Sequence, residues 1–154
     1  MCLIIDTNIF HSVFNADAKE HHHFGPVRKW LSTGKGKMVY GGDKYNRELK
    51  GGKYVAIITE LGRRGSLVKI PAGPVNRYAS ELKIKVPEPA FDDEHLVALV
   101  AISNCRVICT RDKRAFPYLK RRDLYPKGVK PPKIYQHKNN APLCCKNHIV
   151  EVCR

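Results

Sequence analysis

The chain has 154 residues, about the size of one ordinary domain. It carries 28 Lys and Arg against 14 Asp and Glu, a formal net charge of +14, and 43% of its residues are hydrophobic. This composition excludes a disordered chain, and the longest apolar run, at 96–102, is too short for a membrane-spanning helix of about 20 residues. The positive charge favours a polyanionic partner, either nucleic acid or an anionic surface, with a merely soluble basic protein as the alternative.

The first residues contain no basic region and no small-residue cleavage site, so they do not resemble a secretory signal. We therefore expect a cytoplasmic protein whose six cysteines are reduced thiols. Cys144, Cys145, His148 and Cys153 lie close together in the sequence. Their spacing is irregular, which makes a zinc site there the weaker alternative.

Short apolar runs alternate along the chain with segments of helical periodicity. The runs that predict strands lie at 3–5, 38–40, 67–70 and 107–110. The segments that predict helices lie near 9–14, 27–31, 45–49, 55–61, 75–82, 92–103 and 115–119, with interruptions at Gly25-Pro26 and Gly51-Gly52. The alternation predicts an α/β fold with a central parallel sheet of four to five strands and helices on both faces.

The last part of the chain differs in composition from the rest, because it is rich in proline and lysine. We predict a folded domain over residues 1–122 and a basic extension over 123–154 that packs on the same domain. The strand-like pieces of this extension are 134–135 and 148–152.

Acidic side chains follow the predicted strands, although the protein has few acids. Asp6 and Asp112 come just after strands, Glu48 lies on the helix after the second strand, and Asp93 opens the helix before the last strand. Parallel sheets bind ligands at the carboxyl ends of their strands. Carboxylates that converge there repel one another unless a hard cation such as Mg²⁺ or Mn²⁺ lies among them. Any one of these acids alone could instead be a helix cap or a surface ion pair. Asp92 is an alternative to Asp93, but we prefer Asp93 as the ligand and expect Asp92 at the cap of the helix.

Four segments also carry motifs in a fixed order. They are an apolar strand ending in Asp-Thr-Asn (2–8), an acid-bearing segment (41–49), an Asp-x-x-apolar helix (93–101) and a strand ending in Thr-Arg-Asp (107–112). In order and spacing these segments resemble the PIN-domain nuclease family, over roughly residues 1–116. The resemblance implies a PIN-like fold and a metal-dependent endoribonuclease, frequently the toxin of a bacterial toxin–antitoxin pair. Ala115 departs from the pattern, since many toxin members carry a further Asp there.

The resemblance and the strand-end positions together suggest roles for individual residues. The expected catalytic and metal-binding residues are Asp6, Glu48, Asp93 and Asp112. The residues expected to orient these carboxylates through hydrogen bonds are Thr7, Asn8 and Thr110. The residues expected to meet substrate phosphates are Lys44, Arg47, Arg111, Lys113 and Arg114, with a solvated basic face as the alternative. We expect His95 to face the exterior of its helix.

The function that follows is cleavage of single-stranded RNA by a metal-activated water, in a toxin or a defence effector. The expected partners are RNA, an antitoxin protein and a second copy of the chain, with no membrane. One alternative is a basic RNA- or DNA-binding protein of the same fold without turnover. The other is a DNA nuclease, because the sequence does not expose the contact to the 2′-hydroxyl that would distinguish RNA from DNA.

Overall fold

A parallel sheet forms the centre of the protein, in a computed structural model that describes residues 1–50 and 53–154. Within these residues the sheet has five strands in the spatial order β3-β2-β1-β4-β5, and every neighbouring pair is parallel. The strands are β1 (Cys2–Ile5), β2 (Lys37–Gly41), β3 (Leu67–Ile70), β4 (Val107–Cys109) and β5 (Lys133–Tyr135). All four side chains of β1 are buried. Because successive strand residues point to opposite faces, both faces of the sheet are covered. The predicted α/β fold is confirmed, and the arrangement is consistent with a PIN-like fold.

Helices connect the strands. They are α1 (Phe10–Phe14), α2 (His21–Ser32), α3 (Asp43–Leu49), α4 (Val55–Arg63), α5 (Ala72–Lys85), α6 (Glu94–Ser103) and α7 (Phe116–Lys120). Helix α6 is buried on nearly all sides, and Ile102 is its one exposed residue. A helix that is apolar all round belongs in the interior, and α6 packs against α3 and α5. No helix of the described residues is long and apolar enough to cross a membrane.

The expected interruption at Gly25-Pro26 is wrong, because α2 runs through Pro26. A proline inside a helix costs about 3 kcal/mol. Phe24, Val27 and Leu31 are buried along one side of α2, and this packing offsets the cost. The other expected interruption, at Gly51-Gly52, lies outside the described residues.

The segment after residue 122 supplies the edge strand β5, which pairs with β4. Tyr135 of β5 is fully buried, and its hydroxyl donates to the carbonyl of His23 at 2.9 Å. The strand predicted at 148–152 is wrong, because the chain forms 3₁₀ turns at Lys146–His148 and Glu151–Cys153. A 3₁₀ turn brings residues three apart to the same side, which buries both Val150 and Cys153.

The two ends of the chain meet, since Cys2 and Cys153 form a disulfide with their Cα atoms 6.3 Å apart. The prediction of reduced thiols is therefore wrong for this pair. Cys105 and Cys109 are free and buried, as expected for small apolar side chains.

Candidate active site

The strand order places a crevice between β1 and β4. From β1 the sheet extends to β2 and β3 on one side and to β4 and β5 on the other. The order of the strands therefore reverses between β1 and β4, and we call this place the reversal point. In open parallel sheets, ligands bind at the reversal point, beyond the carboxyl ends of the strands. Asp6 follows β1 directly, and its backbone N–H donates to the Cys109 carbonyl at 2.9 Å. Thr110 follows β4 directly, so both residues lie at the crevice.

The carboxylate of Asp6 is buried and held by two donors. The backbone N–H of Asn8 donates to one oxygen at 3.0 Å, and the hydroxyl of Thr110 donates to the other at 2.8 Å. Burial raises the pKa of Asp6, although both hydrogen bonds act in the opposite direction. The two donors fix the orientation of the carboxylate at the end of β1.

Helix α3 brings Glu48 to the same end of β1. It begins directly after Gly42, whose φ of +85° favours glycine, and a Cβ there would meet Val75 Cγ1 at 2.7 Å. The buried hydroxyl of Tyr45 donates to the Ile5 carbonyl and anchors the helix to β1. The Glu48 carboxylate accepts a hydrogen bond from the Thr7 hydroxyl at 2.8 Å.

His95 of α6 contacts Glu48 from the other side, with Nε2 3.4 Å from Oε2. Burial raises the pKa of Glu48, but the hydrogen bond from His95, its charge when protonated and the Thr7 hydroxyl lower it below the usual value. The prediction that His95 faces the exterior is wrong, since it is 4% exposed. The uninterrupted apolar run after His95 was the available signal, because it indicates a helix with no exterior side.

Asp93 lies within electrostatic reach of both Asp6 and Asp112. Burial, followed by the negative charges of Asp6, Asp92 and Asp112, raises the pKa of Asp93 to about 6. The backbone N–H of Asp112 donates to the Thr110 hydroxyl at 3.1 Å, so Thr110 contacts both Asp6 and Asp112. The four predicted carboxylates therefore lie around one end of the sheet.

The start of α6 differs from the prediction that Asp92 caps the helix. Asp93 occupies the N-cap position, and its side chain makes no capping hydrogen bond. Asp92 lies one residue earlier and is exposed. The carboxylate of Asp93 is thus buried near other acids without serving the helix terminus.

Several predicted phosphate-binding cations are paired with acids. Lys44 Nζ contacts the Asp92 carbonyl and lies 3.3 Å from Glu94 Oε1. Arg114 pairs with Asp112 at 3.1 Å, and this hydrogen bond lowers the pKa of Asp112. The other predicted cations are Arg111, which pairs with Glu20 at 2.5 Å, and the exposed Arg47 and Lys113.

The carboxylates do not form a closed set of metal ligands. Among residues 1–50 and 53–154, no three His, Cys, Asp or Glu side chains are arranged to hold a metal ion. The candidate zinc ligands of the last segment do not form such a group either. Cys145 Sγ lies 3.4 Å from His148 Nδ1, but Cys153 is bonded to Cys2. Mg²⁺ usually takes only one or two carboxylates and keeps several waters. The carboxylate oxygens of Asp6 and Asp93 are ligands of the type that this mode requires.

Comparison of the chain with protein-family models, with curated proteins and with solved structures finds no match.

Thr110 provides a direct test of how the site is held together. We expect Thr110→Val to lower the free energy of unfolding by about 2 kcal/mol, because Asp6 loses a donor and the Asp112 N–H loses an acceptor. Thr110→Ser keeps the hydroxyl and should cost much less. Urea denaturation of both variants measures the difference. Equal stability of the two would contradict the bridging role of the hydroxyl.

Proposed function

We propose that the protein is a metal-dependent endoribonuclease that cleaves single-stranded RNA. One observation carries the proposal: four carboxylates, two of them buried, surround the reversal point of a parallel sheet in a chain of net charge +14. Buried like charges destabilise the folded state, and perturbed carboxylates in a crevice mark a candidate functional site. A basic surface that holds the RNA backbone and acids that hold a cation are the two parts a nuclease needs.

In this proposal Asp6, Glu48, Asp93 and Asp112 bind Mg²⁺ or Mn²⁺ directly or through water. The metal, when bound, supplies an activated water and neutralises the scissile phosphate. Thr110 and the Asn8 N–H hold Asp6 in place, and Thr7 with His95 holds Glu48. A phosphate entering the crevice would compete with Asp112 for Arg114 and with Glu94 for Lys44.

The proposed cellular role is that of a toxin or a defence effector. A PIN-like nuclease acting as a toxin or defence effector in the cytoplasm would meet RNA there as its substrate. The proposed protein partners are an antitoxin protein and a second copy of the chain, with which it would form a homodimer.

A second candidate is a nucleic-acid-binding protein without turnover. The ion pair between Arg114 and Asp112, and the contact of Lys44 with Glu94, favour it, because cations of the chain neutralise these acids without a metal. A DNA nuclease is the third candidate.

One experiment distinguishes the three candidate functions. We expect a labelled single-stranded RNA to be cleaved in Mg²⁺ or Mn²⁺ and to stay intact in EDTA, because the donors at the site are carboxylate oxygens. A DNA strand of the same sequence is the matched substrate.

Undiminished RNA cleavage in EDTA would refute the metal mechanism. Salt-dependent binding of both strands without cleavage would support the binding protein, and preferential cleavage of the DNA strand would support the DNA nuclease.

A further inference from the structure

A second cavity lies on the opposite side of α3 from the acids. It is an open pocket of about 590 Å³ between α3 and α4, beside the carboxyl ends of β2 and β3. Two adjacent residues of α3 point to different sites. Glu48 contacts Thr7 in the group of acids, whereas Arg47 lines the pocket. The pocket is therefore separate from the acids but adjacent to them.

One part of the pocket is apolar. Half-buried Tyr40 and Ile58 line it together with Leu49 and Val55. Val55 is 55% exposed, which is unusual for a large apolar side chain in this protein. A flat apolar ligand would cover these side chains and exclude water from them.

The other part of the pocket is cationic. Arg47, Lys50 and Lys69 line it, and all three are exposed. Within residues 1–50 and 53–154, none of these side chains makes an ion pair. Asp43 is the one carboxylate of the lining, and it accepts a hydrogen bond from Asn76 Nδ2 at 2.8 Å. The pocket thus carries a net positive charge next to an apolar surface.

This combination limits the class of ligand. A sugar phosphate would use the cations but would leave the apolar side chains exposed, and a lipid chain would not need three cations. A nucleoside 5′-phosphate has both a π-face that stacks on aromatic side chains and a phosphate that Lys and Arg bind. The pocket volume lies within the usual range of about 300–1,000 Å³ for ligand sites.

We propose that the pocket between α3 and α4 binds a nucleoside 5′-phosphate unit, supplied by the substrate RNA. As a subsite for RNA, this inference rests on the proposed function. An α-helix is about 10 Å wide, so a nucleotide in the pocket lies one helix diameter from the acids. The pocket would then hold a nucleotide near the scissile phosphate and fix the position of the strand. A free nucleotide is the other source of the same ligand chemistry.

Binding experiments in EDTA test this without any need for cleavage. Adenosine 5′-monophosphate and a short single-stranded RNA are titrated against the full chain and its variants. We expect Tyr40→Leu to weaken binding about tenfold through lost stacking, and Tyr40→Phe to bind like the wild type. Lys69→Gln should weaken binding more than Lys83→Gln, a matched variant of an exposed lysine on α5 outside the pocket.

The pattern of losses identifies the source of the ligand. Losses with RNA, with or without losses for the mononucleotide, support a subsite for the strand. Losses confined to the mononucleotide overturn the RNA source. Equal effects of Lys69→Gln and Lys83→Gln, with no effect of Tyr40→Leu in a folded protein, overturn the site itself. Since binding is measured without metal, failure of cleavage would refute the nuclease without affecting this result.

Discussion

Replacing Asp6 by asparagine is expected to abolish RNA cleavage while RNA binding persists or tightens. Asparagine keeps an oxygen acceptor at the end of β1 but removes the negative charge that a cation needs. Metal ions contribute several kcal/mol to stabilising a phosphoryl transition state, so we expect a rate loss of about a thousandfold or more. In the proposed function RNA binding would depend on Lys and Arg, and loss of a nearby negative charge would favour it.

Two measurements check this result. Single-turnover cleavage of a labelled RNA gives the rate, and a salt titration of binding gives a log–log slope of about 0.7 per phosphate contacted. Asp17→Asn is the matched control, because Asp17 is exposed and the change in charge is the same. Cleavage by Asp6→Asn at the wild-type rate would remove Asp6 from the mechanism. Affinity independent of salt would refute the role of the basic surface.

Replacing Asp93 by asparagine is expected to stabilise the metal-free protein at neutral pH. Burial and neighbouring acids raise the pKa of Asp93 in the folded protein to about 6, from an ordinary value of 3.8. The folded state therefore binds the Asp93 proton more tightly than the unfolded state, and stability falls as the pH rises through this window. The difference of about two pKa units corresponds to at most about 3 kcal/mol at pH 7. Asparagine removes this cost.

Urea denaturation in EDTA at pH 7 and pH 4 tests the sign. We expect Asp93→Asn to exceed the wild type in stability at pH 7 and to approach it at pH 4, where the carboxyl is protonated in the folded state and partly protonated in the unfolded state. The change at the N-cap contributes little, because Asn and Asp cap helices equally well. A variant less stable than the wild type at pH 7 would show that the negative charge of Asp93 does not destabilise the folded protein.

Adding Mn²⁺ to the same proteins tests the role of Asp93 as a ligand. An ion that binds only the folded state stabilises it by about 2.7 kcal/mol at a hundredfold excess over Kd. The wild type should gain this stability and Asp93→Asn should gain little. Equal gains would exclude Asp93 as a ligand and direct the test to Asp92→Asn.

Sequence predicted the parts of the fold that depend on local patterns. The apolar runs that became β1 and β4 end at Asp6 and Thr110, and parallel strands necessarily bring such ends to one edge. The role of Thr110 in orienting a carboxylate is also predicted from the sequence, but its partner, Asp6, lies 104 residues away and local patterns do not identify it. That contact depends on the strand order, which places β4 next to β1.

Each wrong prediction concerns a feature of the structure that tertiary packing determines. The position of His95 on one helix predicts an outward side chain, but α6 is enclosed by the sheet and its neighbouring helices. Pro26 predicts a helix break, but burial of α2 outweighs its local cost. The pairing of Cys2 with Cys153 joins residues 151 apart, a separation that local patterns do not cover.

The link between Cys2 and Cys153 also determines how the protein can be tethered. Cys2 begins β1, whereas Asp6 follows its other end, so the strand separates the link from the acids. Arg154 is exposed next to the link, so a chain fused to it would begin near the start of β1, at the other end of the strand from Asp6. A reporter or surface anchor fused there would leave the crevice accessible to long RNA strands.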